Sequence, residues 1–191
     1  MNTLDSKNYI ADLDDQSVFA ALTGDTRSFS IIVTHYEKRV FGFLGRMGFD
    51  QSTAADLAQD TFVRAWQHRA RFDKQRGSFT AWLFAIARNV ALTEFRRAAR
   101  RPTDRGNIGE LENLSARDDA SHLTEDSQKR EQLNLALRKL AEADRTAIAL
   151  SYVEGLDAPE AAALLGCRAD TYRARLSRAR KRLAKALETS L

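Results

Sequence analysis

Apolar residues recur along this chain at helical spacing, and no stretch alternates convincingly as a strand would. Phe29, Ile32, Val33, Tyr36, Val40, Phe43, Leu44 and Met47 make one continuous stripe, the pattern of a long helix with one buried side. Gly24-Asp25 resets the chain before it and Gly48 ends it, while Asp14-Asp15 can cap a shorter helix reaching Thr23. A third helix starts near Ser52 and turns Ala55, Ala58, Phe62, Ala65 and Trp66 inward. After the polar loop Asp73 to Ser78, a fourth helix is predicted to Arg100, burying Phe79, Leu83, Ile86, Val90 and Phe95. Residues 101–127 then hold Pro102, two glycines and many charges but few large apolar groups, too little to offset the entropy of ordering. Periodicity returns with Leu133, Leu135, Leu137 and Leu140, and a further run passes Ile148, Leu150, Tyr152 and Val153 to stop at Gly155.

The C-terminal stretch has a different rhythm. An acidic cap, Asp157-Ala158-Pro159-Glu160, precedes an Ala-rich run, a turn at Gly166 and a basic helix whose apolar stripe is only Tyr172, Leu176, Ala179 and Leu183. That order reads as a helix-turn-helix. The expectation is therefore an all-α fold: two small helical domains, residues 12–100 and 128–188, joined by a flexible linker at 101–127.

Charge sharpens this picture. The net charge of the 191-residue chain is only +4, but its distribution is uneven. Residues 64–101 carry ten arginines and lysines against two acids, residues 102–127 carry two against seven, and residues 168–185 carry eight against one. Two basic blocks flanking an acidic one suit contact with nucleic acid. The acidic linker reads first as a spacer, and its charge could also mimic RNA in a nucleic-acid channel. Enzymatic readings fare poorly. His35, His68 and His122 are scattered, Cys167 stands alone, and neither a glycine-rich phosphate loop nor a metal-spaced ligand set occurs, so no cofactor and no metal are expected. The lone cysteine, read as a small buried thiol in the turn, and the lack of a signal-like N-terminus or a long apolar span lead to an expected cytoplasmic location.

Two segments carry a family likeness. Ala55 to Trp66 (ADLAQDTFVRAW) with Ser78 to Ala91 (SFTAWLFAIARNVA) resembles region 2 of bacterial sigma factors, and Leu133 to Leu187 resembles region 4. Together they look like the extracytoplasmic function class, minimal sigma factors that keep only these two regions. The resemblance implies a subunit that binds RNA polymerase core and directs initiation at specific promoters of a stress- or metal-responsive set. It also implies a partner, an anti-sigma factor that is often membrane-anchored, which keeps the free factor inactive. An amphipathic segment of that partner would occupy an apolar groove between the domains.

Site residues follow from the two readings together. Asp56, Gln59, Asp60 and Arg64 share one face of the third helix. Such a face is either simply solvated or, as the resemblance implies, the surface that docks on the clamp of the polymerase largest subunit. Lys74, Arg76, Arg88, Arg96, Arg97, Arg100 and Arg101 combine with Trp66, Phe72, Phe79 and Trp82, and aromatics beside a basic track suit unpaired bases. Phe79 and Trp66 read as core. By resemblance the loop from Lys74 to Ser78 captures a minus 10 base, with Trp82, Arg88, Asn89, Arg96 and Arg97 facing the displaced strand. On the last helix, Thr171, Arg173, Ala174, Arg175, Ser177, Arg178 and Lys181 lie around the side away from Leu176, where arginine can grip guanine edges and the other cations phosphates. The resemblance assigns them the minus 35 element. The chain departs from the family pattern at Ala141 (usually proline), Tyr172 (commonly valine) and Ala174 (usually serine). Two other readings stay open: a stand-alone dimeric helix-turn-helix regulator of duplex DNA, and an interaction adaptor that is basic for solubility.

Overall fold

The computed structural model describes residues 15–100, 125–153 and 155–188, and every regular element among them is helical. Helix α1 (Asp15–Thr23) leads into α2 (Thr26–Arg46), α3 (Gln51–His68) and α4 (Phe79–Arg100), with short 3-10 turns at Arg69–Arg71 and Lys74–Arg76. A second group comprises α5 (Glu125–Arg138), α6 (Glu142–Leu150), α7 (Ala158–Leu164) and α8 (Ala169–Glu188). Helix α5 thus begins inside the last three residues of the expected linker, and the rest of that linker lies outside the described residues.

The sequence sets these boundaries through caps. Asp25 accepts the Ser28 N–H at the start of α2, and Asp50 accepts the Thr53 N–H at the start of α3, each at 2.9 Å. Asp157 and Glu160 form a full capping box on α7: the Asp157 carboxylate takes the Glu160 N–H and the Glu160 carboxylate takes the Asp157 N–H. After α2 the chain reverses at Gly48, where φ is 93°, and between α7 and α8 it turns at Gly166, where φ is 64°. Both are left-handed conformations in which a side chain is strained.

Ile32, Val40, Phe43, Leu44, Leu83, Phe84 and Ala87 fill the first group's interior. Phe43 and Phe84 meet edge to face, and the Tyr36 and Thr80 hydroxyls share a buried hydrogen bond of 3.1 Å between α2 and α4. The narrow stripe of α8 behaves as its spacing predicts: Tyr172 and Ala179 are buried, Leu176 and Leu183 partly so. Leu137, Leu140, Ile148 and Ala179 form a small second core. Asp144, buried on α6, pairs with Arg182 of α8.

Several expectations shift. Ala55 is exposed: α3 buries Ala54, Leu57, Ala58, Thr61, Phe62 and Ala65, with the Thr61 hydroxyl satisfied by the Leu57 carbonyl. Ile86 and Phe95 are only partly covered, Leu133 is exposed, and Tyr152, beyond the end of α6, lies outside the core beneath the Arg46 guanidinium. Cys167 is half-buried rather than buried.

The two helical groups pack against each other. Helix α2 touches α5 and α6, and α4 touches α7. The buried cluster of the first group runs on through Ala147, Leu150, Val153 and Ala161 of the second. Polar contacts edge this seam: Arg138 Nε–H donates to the Gly48 carbonyl at 2.8 Å, and the Arg145 guanidinium lies 4.5 Å from the Phe95 ring centre. Burial pushes the Arg145 pKa down, with Glu142 opposing and Arg138 adding to the shift.

Candidate nucleic-acid interface

Three surface patches collect the residues singled out above. On α3, Asp56 and Gln59 are exposed, while Asp60 and Arg64 hold each other in a two-pronged ion pair at 2.9 and 3.1 Å. Beside them opens a groove between α2 and α3 of about 520 Å³, lined by Val33, Glu37, Lys38, Phe41, Ala55, Ala58, Gln59, Phe62 and Val63. Phe41 and Val63 are 37% and 46% exposed there. This apolar groove lies within the first helical group. Its signal in the sequence is slight: Phe41 and Val63 are large apolar residues off the main stripes of their helices.

The second patch belongs to α4 and the turn before it. Lys74 and Arg76 are exposed on the 3-10 turn, which Asp73 caps by accepting the Gln75 N–H. The Ser78 hydroxyl accepts the Ala81 N–H and so caps the start of α4. One side of that helix gathers Ser78, Trp82, Asn89 and Arg96, because their spacing of four and seven keeps them within one stripe. Arg97 lies at its edge, exposed beside Glu94. Arg88 falls about a third of a turn away, half-buried. Trp82 is half-buried against Phe72 and Phe79, with one surface left to solvent. Phe79 is core, as expected, and Trp66 is half-buried between Phe29 and the Arg69 guanidinium. The Ser78 N–H is met from the other helical group by the Glu160 carboxylate at 3.2 Å.

On α8, Thr171, Arg173, Ala174, Ser177, Arg178 and Lys181 are exposed, whereas Arg175 is half-buried at the flank. Arg173 pairs with Asp170 at 2.9 Å across one turn, and Arg180 reaches Ser151, the residue that caps the end of α6, at 3.4 Å. This is a mainly cationic surface on the second helix of a helix-turn-helix, the element that enters a major groove.

Comparison with known proteins settles the family. Residues 32–101 match the model described as Sigma-70 region 2, and residues 130–183 match Sigma-70, region 4. The RNA polymerase sigma-H factor of Pseudomonas aeruginosa is 30% identical over 93% of this chain and 95% of its own length. The chain is an RNA polymerase sigma factor of the extracytoplasmic function class. The sigma factor CnrH of Cupriavidus metallidurans is similar at 32% identity, covering 88% of this chain and 91% of its own. Among solved structures, CnrH in complex with the cytosolic domain of CnrY superposes with a TM-score of 0.65 at 30% identity, covering 91% of this chain and 96% of that one. RpoE of Bartonella quintana in complex with the anti-sigma factor NepR gives 0.66 at 28%, covering 85% and 98%.

Within this sigma factor the region 4 departures acquire physical reasons. Ala141 precedes α6 with φ −59° and ψ 145°, a backbone that proline would also adopt, so the substitution leaves the entry to the helix intact. Tyr172 is buried at 4% exposure and donates its hydroxyl to the Ala147 carbonyl at 3.3 Å, and burial pushes its pKa up. It is a packing residue of region 4 and faces away from the cationic surface. Ala174 stands exposed on that surface. Among the described residues no helix is long and apolar enough to cross a membrane.

Proposed function

We propose that this sigma factor uses its three patches for three partners in one initiation complex. The α3 face, with Asp56, Gln59, Asp60 and Arg64 beside the Phe41–Val63 groove, docks on the clamp of the polymerase largest subunit. A patch that is polar at its rim and apolar at its centre suits a partner that must bind and later leave. The turn at Lys74, Arg76 and Ser78 and the α4 side bearing Trp82, Asn89, Arg96 and Arg97 receive the displaced strand at the minus 10 element. Arg88 supports that strand from the flank. Stacking on Trp82 can supply about 1 to 3 kcal/mol per base, and the cations add salt-dependent attraction. The outward side of α8, from Thr171 through Arg173, Ala174, Arg175, Ser177 and Arg178 to Lys181, reads the minus 35 element in duplex form.

The division of labour follows residues 12–100 for the polymerase and minus 10 contacts, 101–127 for the connection, and 128–188 for minus 35. Bipartite recognition gains from that connection, which raises the effective concentration of the second contact. The factor works in the cytoplasm with no cofactor, and an anti-sigma factor, membrane-anchored, restrains it until a stress or metal signal arrives. Solved relatives were captured with protein partners: CnrH with the cytosolic domain of CnrY, and RpoE with the anti-sigma factor NepR. The α2–α3 groove is a fitting seat for an apolar helix of that partner.

The observation that carries this reading is that α4 and α8 each expose a row of cations while the exposed Asp56 and Gln59 sit on a different helix, α3, so the polymerase and DNA contacts need not share residues. Reconstituted transcription tests it. Core polymerase with this protein should initiate from a subset of promoter fragments sharing two spaced elements. Silence there, together with tight duplex binding without polymerase, would favour a dimeric helix-turn-helix regulator instead.

A further inference from the structure

Two arginines of the basic helix turn back onto the protein, and both hold the same neighbour. Helix α8 packs on α6, whose residues are all buried from Asp144 to Leu150. Arg182 pairs with Asp144 in the first turn of α6, and Arg180 donates to the hydroxyl oxygen of Ser151, which caps the other end, at 3.4 Å. Between these two points the Tyr172 hydroxyl donates to the Ala147 carbonyl at 3.3 Å. Both outer acceptors are held in place. The Asp144 side chain is 9% exposed and lies where the helix dipole favours an acid. Ser151 commits its hydroxyl proton to the Ile148 carbonyl at 2.7 Å, which leaves its oxygen to accept.

At about 100° per residue, Arg180 and Arg182 project about 200° apart around α8, one on each flank of the buried stripe. We propose that they are positioning residues, two arms that fix the rotation of α8 about its own axis and so decide which side chains meet base edges at the minus 35 element. This rests on the minus 35 reading given above. A contact on one flank resists rotation in one sense only, whereas contacts on both flanks resist it in either. The apolar stripe cannot do this alone, since Ala179 is small and Leu176 and Leu183 are only partly buried. The demand on rotation is strict. With side chains a helix is about 5 to 6 Å in radius, so a roll of about 20° carries a side-chain tip about 2 Å. That exceeds the spread of a good hydrogen bond to a base, about 2.7 to 3.2 Å. Attraction to phosphate, which reaches about 8 Å at physiological salt, survives the same roll. The arms therefore control discrimination between sequences and leave general attraction to DNA with Arg173, Arg178 and Lys181.

The test uses the full chain bound to core polymerase and two promoter duplexes, one recovered by reconstituted transcription and the same one with its upstream element scrambled. Fluorescence anisotropy gives the ratio of the two affinities and its dependence on salt. Two double variants break the arms from opposite ends: Arg180→Met with Arg182→Met on α8, and Asp144→Asn with Ser151→Ala on α6. The second pair leaves every cation of α8 in place. Helical circular dichroism sets an assay temperature at which each variant is folded. The ratio should fall about tenfold in both, within what one well-made bidentate base contact supplies. Affinity of the α6 variant for the scrambled duplex should stay within about twofold, because phosphate attraction tolerates the roll. Arg182→Lys, which can still pair with Asp144, should keep most of the discrimination. An α6 variant that is less stable yet discriminates as well as wild type would overturn the proposal, since the contacts would then be structural only. A salt slope lowered by about 0.9 for each arginine removed, with the ratio intact, would also overturn it, by making Arg180 and Arg182 phosphate contacts. A wild-type complex that binds both duplexes equally would remove the minus 35 reading itself, so the two failures are told apart.

Discussion

The pair between Asp144 and Arg182 ties the recognition helix α8 to α6, and its energetics can be worked out from exposure alone. The Asp144 side chain is 9% exposed and that of Arg182 is 59%. Fully exposed pairs contribute about 0.2 to 1 kcal/mol, whereas stripping one partner from a fully buried pair costs about 3 to 5. This pair is buried on the acid side only, so its values should fall between. Replacing Arg182 with Met keeps the apolar stem but leaves a carboxylate covered and uncompensated, at a cost of about 2 kcal/mol. Asp144→Asn keeps the shape and an acceptor, costing about 1 kcal/mol. With both changes no buried charge remains, and the double variant should lose only about 1.5 kcal/mol, less than Arg182→Met alone. The coupling is then about 1.5 kcal/mol. Urea titration followed by helical circular dichroism measures it, with tryptophan fluorescence as a control, since Trp66 and Trp82 both lie in the first helical group. Additive losses, a double variant near 3 kcal/mol, would refute the claim that burial of Asp144 makes the pair matter.

Other consequences can be checked as directly. Val63→Glu puts a charge into the α2–α3 groove without touching the core of α3 and should weaken core polymerase binding at least about tenfold, a cost of about 1.4 kcal/mol, with the thermal midpoint unchanged. Asp56→Ala with Gln59→Ala should weaken the same complex without unfolding the protein, and an intact affinity in a pull-down titration would remove that face from the interface. Arg178→Ala with Lys181→Ala should lower the slope of log affinity against log salt for the minus 35 duplex by about 1.8, or 0.9 per lost phosphate contact; an unchanged slope would mean neither reaches a phosphate. Burial raises the Asp50 pKa, but hydrogen bonds from the Thr53 N–H and the Ser52 and Thr53 hydroxyls more than offset this and hold it low. A depressed carboxylate stabilises the fold above the unfolded value near ~3.9 and loses that contribution as pH falls through the folded one. The stability gap between wild type and Asp50→Ala, about 1 kcal/mol at pH 7, should therefore narrow in acid titrations as pH falls from the unfolded value through the lower folded one.

How much of this was legible in the chain depends on the distance over which each feature is built. The helices of the first group were readable because a stripe at three- and four-residue spacing is local, and so were the caps at Asp25 and Asp157, which act across three residues. Ala55 was misplaced because Ala54, Ala55 and Ala58 offer the same small apolar side chain in neighbouring positions. Nothing local says which of them faces α2. Tyr152 and Leu133 misled for a related reason: an apolar type near the end of a periodic run need not share the buried side. The α2–α3 groove was harder still, since Phe41 and Val63 become one surface only through the mutual rotation of two helices. The resemblance could not supply the contact between the two helical groups either, because family motifs mark residues that meet outside partners. Glu160 was read as a cap, and it is one, yet the same carboxylate spans to Ser78 across 82 positions. A residue whose local role is already satisfied gives no sign in sequence that it holds a second, distant one.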